Sequence, residues 1–368
     1  LQRVLVLGGY GAFGGLVTQR LARVAGVEVI VAGRSAERAA GFASRLAAGA
    51  SGKVSGIRLD SAGITDTTLA NIGPAVLVNA VGPYQGQGYR LARACVAAGV
   101  HYVDLADARA FVKGIMALDV EARAAGVLVA SGASTVPAVS AAVLDAHAPL
   151  FAPLAKVEVV VAPGNSFDPG PATAQSILST LGRPLAASGR GARSPLYGWQ
   201  GLERRRLAGL GARWIGLCET PDLDLFPVRY PGLADVRVYA ALEVGAFHLG
   251  VWGLSWLVRG GLVRRPERFA GPLLAVKRRL SFLGSDRGGL AVTMAGFGTD
   301  GRPTRIDWQL VAGSGHGPYI PATPAVLLAK GLLAGTLAVR GAMPCVGLFT
   351  LYEFLAEIAD LDVAAGTP

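Results

Sequence analysis

Over the first 147 positions, short runs of consecutive apolar residues alternate with longer amphipathic stretches. Arg3–Leu7 and Val27–Ala32 are apolar and β-branched, and each leads into helical periodicity, from Ala12 to about Ala25 and from Ala36 to Ala47. The rhythm continues through Val54–Leu59, Ala75–Val81, a helix over Tyr89–Ala98, Tyr102–Leu105, a helix over Ala110–Ala125, and Val127–Ala130. Strands that are apolar throughout, separated by helices, predict a parallel sheet covered on both faces. The fold class expected is α/β, a doubly wound parallel sheet over residues 1–147 followed by a second, α+β domain.

Beyond Ala155 the pattern changes. Val157–Ala162 and Val236–Leu242 read as strands, and Leu290–Phe297 with Thr304–Val311 reads as a hairpin whose turn carries Asp300-Gly301. The Gly-, Arg- and Pro-rich stretch Arg183–Gly211 reads as a long loop, and Thr323–Val339 and Leu348–Ile358 as helices. An α+β domain is thus expected over 148–322, with C-terminal helices over 323–368 packing back on the first domain. Val244–Val263 is apolar but contains His248, Arg259 and five glycines, so an interfacial or buried helix is expected rather than a membrane span. Trp252 and Trp256, four apart, share one face of it, and peripheral membrane contact joins the expectations. Ala325–Val339 is shorter and is interrupted by Lys330.

Composition narrows the class. Of 368 residues, 52% are hydrophobic and 16% charged, with mean hydropathy +0.44, enough to fill a core and too little charge for disorder. The net charge of +10 rests mostly on arginine, which fits a GC-rich genome as well as a basic surface. Arg204-Arg205-Arg206, Arg264-Arg265 and Lys277-Arg278-Arg279 lack interleaved aromatics and match no DNA-binding motif, so they read as solvated faces, and no nucleic-acid partner is expected. Cys95, Cys218 and Cys345 are too scattered for a disulfide framework or a metal set, which implies a reducing compartment and no metal. Glu219, Asp222 and Asp224 beside Pro221 read as a loop. The opening residues have no initiator Met and no signal-peptide layout, so the natural chain is expected to start upstream and the location to be cytoplasmic.

The strand Val4–Leu7 runs into Gly8-Gly9-Tyr10-Gly11-Ala12-Phe13-Gly14 and then a helix. Gly9, Gly11 and Gly14 satisfy G-x-G-x-x-G in its required strand–helix context. Gly9 is expected to make the tight turn, Gly11 to let a pyrophosphate approach the backbone, and Gly14 to let the helix sit close to the sheet. The helix N-terminus offers free N–H groups and about half a positive charge to phosphates. After the second strand, NAD enzymes carry an acid for the ribose 2′-hydroxyl. Here Gly33-Arg34-Ser35 stands instead: Gly33 leaves room, Arg34 pairs with a 2′-phosphate or stacks on adenine, and Ser35 donates a hydrogen bond. Arg38, one turn on, adds a second cation. The cofactor expected is NADP(H). Asp60 either accepts from the adenine amine or begins a turn with Ser61. Asn79-Ala80-Val81-Gly82-Pro83-Tyr84 closes the fourth strand, where Ala80, Val81 and Gly82 let the cofactor pass and Pro83 fixes the loop.

GGYGAFGG, VAGRS, VNAVGPYQGQG, ACVAAGVHYVDLAD and GASTVPAVSAAVLD together resemble the saccharopine dehydrogenase/reductase-like superfamily, over roughly the first 150 residues. The resemblance implies a Rossmann domain, a second domain carrying substrate contacts, a nicotinamide cofactor and a homodimer. It does not fix the substrate, and no cluster of acids and bases specifies saccharopine.

Reduction needs a proton source beside the cofactor. Tyr84 either reaches the nicotinamide region or walls the pocket. Asp104 and Asp107 sit at the ligand end of their strand, Asp107 alternatively capping the next helix. His316, in the Gly315–Tyr319 turn, is of the residue type best suited to proton transfer and is the candidate acid of the second domain. His101, His147 and His248 read as structural. Two functions stay open: an NADPH-dependent reductase of a C=N, C=C or C=O bond in a small or lipid-like substrate, and a catalytically silent NADP-binding or redox-sensing protein.

Overall fold

A computed structural model describes residues 1–185 and 195–367. The chain begins β1 (Gln2–Leu7), α1 (Gly14–Leu21), β2 (Val27–Gly33), α2 (Ala36–Ala47), β3 (Lys53–Arg58), α3 (Asp66–Ile72), β4 (Val76–Asn79) and α4 (Arg90–Ala97). It continues with β5 (His101–Asp104), α5 (Arg109–Gly114), α6 (Asp119–Ala124), β6 (Leu128–Ser131), α7 (Ser140–His147), β7 (Phe151–Ala162) and α8 (Gly170–Ser179). Next come β8 (Pro184–Leu185), β9 (Leu196–Tyr197), β10 (Glu203–Leu207), β11 (Gly211–Leu217), α9 (Asp222–Arg229), β12 (Asp235–Ala240), α10 (Gly245–Arg259) and α11 (Ala270–Arg279). The last elements are β13 (Gly288–Gly298), β14 (Pro303–Ala312), α12 (Tyr319–Ala334), β15 (Gly341–Pro344), α13 (Leu351–Glu357) and β16 (Val363–Gly366).

Two compact units result, Leu1–Ala138 with Tyr319–Phe349, and Val139–Pro318 with the segment from Thr350 onward. The division differs from boundaries at 147 and 322. Helix α7 lies in the second unit, and the C-terminal region is shared between both.

In the first unit all seven strands are parallel, in the order β15-β6-β5-β4-β1-β2-β3. Side chains alternate across the pleat. Val4, Val6, Val29 and Val78 face a core completed by Val17 and Leu21 of α1 and Ala325, Val326 and Ala329 of α12. Leu5, Leu7, Ile30 and Leu77 face the opposite core, with Cys95, Val96, Ile115 and Leu118. Each such buried aliphatic side chain stabilises by about 1.5–3 kcal/mol. The expected helix over Ala110–Ala125 is instead α5 and α6 joined by a 3₁₀ turn at Ile115–Leu118, whose two end residues are fully buried. Strand β15 was not anticipated. Its short Gly-Ala-Met-Pro sequence has no β-branched residue, and pairing with β6 (Gly341 opposite Leu128, Pro344 opposite Ser131) holds it as a strand.

The sheet of the second unit runs β10-β11-β12-β7-β13-β14-β16, with β12 and β7 parallel and the other pairs antiparallel. The β13–β14 turn uses Gly301 at φ +77°, closed by Gly298 N–H on the Arg302 carbonyl at 2.8 Å. Two expectations fail here. Of the loop expected over Arg183–Gly211, residues 186–194 lie outside the described ones, and the remainder contains β8, β9 and β10. Strand β10 is hidden in sequence by its charges. Arg205 reaches Glu158 of β7 at 2.9 Å and Glu203 at 3.1 Å rather than projecting as a solvated cation, and Leu207 is buried in the core. The acidic run around Pro221 is no loop either. Asp222 and Asp224 sit in the first turn of α9, where carboxylates favour the N-terminal positive end, and Asp222 is buried, accepting from Ser140 Oγ at 2.6 Å. Among the described residues no helix is long and apolar enough to cross a membrane.

Candidate functional site

In the first unit the chain winds outward from β1 to β3, then returns to place β4 on the other side of β1. Such a reversal opens a crevice beyond the carboxyl ends of the two strands, where Leu7 lies opposite Asn79. At the end of β1, Gly8 and Gly9 N–H groups donate to the Ala32 carbonyl (2.8 and 3.2 Å), and Gly11 N–H donates back to Gly8 O at 2.8 Å. The left-handed residue of the turn is Gly8, at φ +76°. Gly9 and Gly14 are required for closeness. A Cβ on Gly9 would stand 2.7 Å from Val6 O, and one on Gly14 would run into Gly8 O. Gly11 meets only Gly8 O, at 3.1 Å, so its other sides are open to a ligand. Helix α1 starts with no side-chain cap and no acid in its first turn. Nothing there competes with a pyrophosphate for the N-terminal partial charge, so the turn of Gly9, Tyr10, Gly11, Ala12, Phe13 and Gly14 fits a dinucleotide.

The second corner sits at the end of β2. Gly33 does not leave room for the cofactor; the Tyr10 ring fills that space, and any Cβ on Gly33 would collide with it. Tyr10 Oη accepts from Ser35 N–H at 3.1 Å, and the Arg38 guanidinium lies 4.7 Å from the Tyr10 ring centroid. Ser35 caps α2, its Oγ accepting from Arg38 N–H at 3.2 Å. Arg34 is exposed and has no ion-pair partner among the described residues. The corner holds two guanidiniums and no carboxylate on its loop, which suits a 2′-phosphate and not a bare ribose hydroxyl pair. Of the two readings of Asp60, the structure displays the turn, with Oδ1 accepting from Ala62 N–H at 3.1 Å. Arg90, which sequence reading did not single out, pins that turn through Ile64 O (2.8 Å) and Ser61 O (2.6 Å).

The third corner is the loop after β4. Ala80 and Val81 pack against the glycine turn: Cβ atoms on Gly8 and Gly14 would lie 3.0 Å from Val81 Cγ2 and Ala80 Cβ. Val81 N–H donates to Asn79 Oδ1 at 3.1 Å, and the Gly82–Pro83 peptide is cis. Tyr84 is buried, and its hydroxyl donates to Asn79 O at 2.7 Å. Burial first, and then the Asp104 carboxylate, push its pKa well above 10.

Asp104 is wholly buried at the end of β5. Its Oδ1 accepts from Ser131 Oγ (2.9 Å), Gly132 N–H (2.9 Å) and Ala106 N–H (3.0 Å), tying β5 to the loop after β6. Burial outweighs these bonds and raises its pKa to about 6, and Oδ2 has no hydrogen-bond partner. Asn79 Nδ2 donates to Tyr102 Oη at 3.0 Å in the same buried group. The N-cap of α5 is Ala108, without a side-chain bond, and Gln85 Nε2 donates to Asp107 Oδ1 at 3.5 Å. In the second unit His316 Nδ1 accepts from Asp362 N–H at 2.9 Å, anchoring the turn to the approach of β16. The unsubstituted acceptor nitrogen assigns the proton of the neutral ring to Nε2. His101 Nδ1 likewise accepts from Leu128 N–H at 2.9 Å, while burial drops its pKa to about 4. Among the described residues no three His, Cys, Asp or Glu side chains cluster as metal ligands.

Residues 4–130 match the family described as saccharopine dehydrogenase NADP binding domain. The matched segment spans β1 to β6, the part of the first unit that builds the glycine turn and the two corners beside it. The yeast enzyme described as apo saccharopine dehydrogenase (L-Glu forming), from Saccharomyces cerevisiae, superposes with a TM-score of 0.65 at 13% identity, over 100% of both chains. An amine dehydrogenase from Mycobacterium smegmatis is similar at a TM-score of 0.47 and 14% identity, over 94% of each chain. No curated protein matches the chain. The match over residues 4–130 makes NADP(H) the cofactor of this domain, and the likeness to the yeast structure shows the α/β fold.

Proposed function

We propose that the protein reduces a C=N, C=C or C=O bond of a small or lipid-like substrate with NADPH. The observation that carries this reading is the corner at Arg34, Ser35 and Arg38, where two guanidiniums stand and the ribose-binding acid is missing. Gly9, Tyr10, Gly11, Ala12, Phe13 and Gly14 would hold the pyrophosphate, with Ala80, Val81, Gly82 and Pro83 flanking the nicotinamide side and Asp60 near the adenine. When bound, the cofactor supplies hydride; the chain supplies position, exclusion of water and a proton.

The three candidate acids divide by what their atoms do. Tyr84 donates to Asn79 O and so positions the loop after β4, while Asp104 binds three donors in a closed interior and positions the loop after β6. His316, with its proton on Nε2, is the proposed proton donor. A cytoplasmic homodimer with peripheral membrane contact completes the proposal. A second reading, a silent NADP-binding protein, is favoured by the burial of Asp104 and the high pKa of Tyr84.

NADPH oxidation against imines, enoyl thioesters and ketones separates the two. The expected outcome is turnover with one class, falling at least about a hundredfold in His316→Gln, the scale of a lost general acid. Tight NADPH binding with no turnover on any class would establish the silent reading.

A further inference from the structure

The second unit has a region where apolar side chains face outward from secondary structure already packed on its inner side. Helix α10 turns Val251, Leu254 and Val258 onto a core shared with Leu178 and Ile177 of α8. Its opposite side carries a second apolar stripe, with Leu249, Trp256 and Leu257 exposed. Helix α11 repeats this design. Ala270 and Leu274 are buried, while Phe269, Leu273 and Val276, spaced four and three apart, are exposed. The segments at their ends are more exposed still, Leu262 at 79% and Phe282 at 74%. Of the 17 large hydrophobic residues exposed among the described ones, nine fall between Leu249 and Leu283. Isolated exposed apolar residues need no explanation, but a concentration of this kind marks a docking surface.

Charge identifies what docks. Gly245–Leu283 holds seven arginines and lysines and one acid, Glu267. Arg278 pairs with Asp168, Lys277 donates to backbone carbonyls, and Arg259 stacks on Tyr197 and Trp256. Arg264, Arg265, Arg268 and Arg279 are exposed, beside the exposed Leu262 and Phe269 in sequence. A second copy of the chain would set this excess of positive charge against itself. An anionic bilayer complements it, with tryptophan, phenylalanine and leucine entering the acyl boundary and arginine reaching the headgroups.

We propose that α10, α11 and the segments joining and following them lie on the surface of an anionic membrane. This names the surface for the peripheral contact proposed above, and it stands apart from the reductase reading. The test is co-sedimentation of the full chain, without substrate, on phosphatidylcholine vesicles and on vesicles with a quarter phosphatidylglycerol. The expected result is binding to the anionic vesicles at least about tenfold stronger, given about fivefold per basic residue near the surface. R264E/R265E/R268E loses that binding by about a hundredfold on the same scale, and Phe282→Glu with Leu283→Glu reduces it as well. NADPH affinity of each variant stays that of the parent, which shows that the variant is folded and keeps this test separate from failure of the reductase reading. Equal binding to both vesicles, or none, overturns the proposal. So does a dimer that dissociates in the Phe282→Glu, Leu283→Glu variant while vesicle binding persists, since a second copy would then be the occupant.

Discussion

Two corners of one sheet edge, the turn after β1 and the cluster at the end of β5, are built from equally close packing and end in opposite states. At the first, glycines let backbone approach backbone until no side chain fits, and the helix end beyond is left with neither cap nor acid. At the second, Asp104 gathers Ser131, Gly132 and Ala106 onto one oxygen and is closed from solvent. Compactness with open donors makes a receptor. Compactness with closed donors makes a scaffold, and it holds the neighbouring loop in place for whatever binds next door.

The comparison breaks most readily at the glycine turn. In Gly14→Val the added side chain meets the Gly8 carbonyl, which cannot move without moving β1. Loss of NADPH binding is expected, with a stability loss of roughly 2–4 kcal/mol, read by thermal unfolding and cofactor titration. A variant that binds NADPH normally would show that the turn is less rigid than its contacts imply.

Asp104→Asn probes the scaffold. The folded pKa of about 6 lies above the ordinary carboxylate value of 3.8. The native state therefore holds this proton more tightly than the unfolded chain does. Its stabilising contribution is full below about pH 4 and is lost as pH rises through 6, an effect of about 3 kcal/mol from roughly two pKa units. The asparagine variant should flatten the melting-temperature profile over that window and keep its turnover. A loss of turnover with no change in the profile would make Asp104 a proton donor instead.

Arg34→Ala sharpens the receptor side. A charge-assisted bond is worth roughly 1.5–3 kcal/mol, so NADPH affinity should fall about 10- to 150-fold while NADH affinity holds. Parallel titrations with the two nucleotides would refute the assignment by showing an unchanged ratio. The smallest effect is expected from Tyr84→Phe, because Asn79 O keeps the Leu105 N–H at 3.3 Å. A stability loss of about 1 kcal/mol is expected, and turnover should drop less than about tenfold. A drop of about a hundredfold or more would place Tyr84 among the general acids.

What could be read from the residues follows from how local each cause is. Helix α2 starts and stops where its periodicity places it, because the stripe is contained in twelve consecutive residues. The glycine turn was legible for the same reason. Strand β10 was not legible, since what draws the half-buried Arg205 against the sheet is Glu158, 47 positions away. Gly33 was misread for a related cause. Its vacancy is filled by Tyr10, and only the fold brings that ring across from the first loop. Arg90 carried no signal at all, because its acceptors are backbone carbonyls of a turn that exists only once the chain has folded.

The first sheet is completed by a helix that begins 188 residues after the end of β6 (319 − 131) and a strand that begins 210 after it (341 − 131). On a ribosome, the apolar flank of Val4, Val6 and Val78 must wait with only α1 against it while Val139–Pro318 of the second unit is synthesised. Contacts of such long sequence separation form slowly and expose chains to aggregation. A gene fragment ending at Ala138 would therefore encode every glycine of the cofactor turn and still yield an incomplete sandwich, with no α12 to cover one side of it.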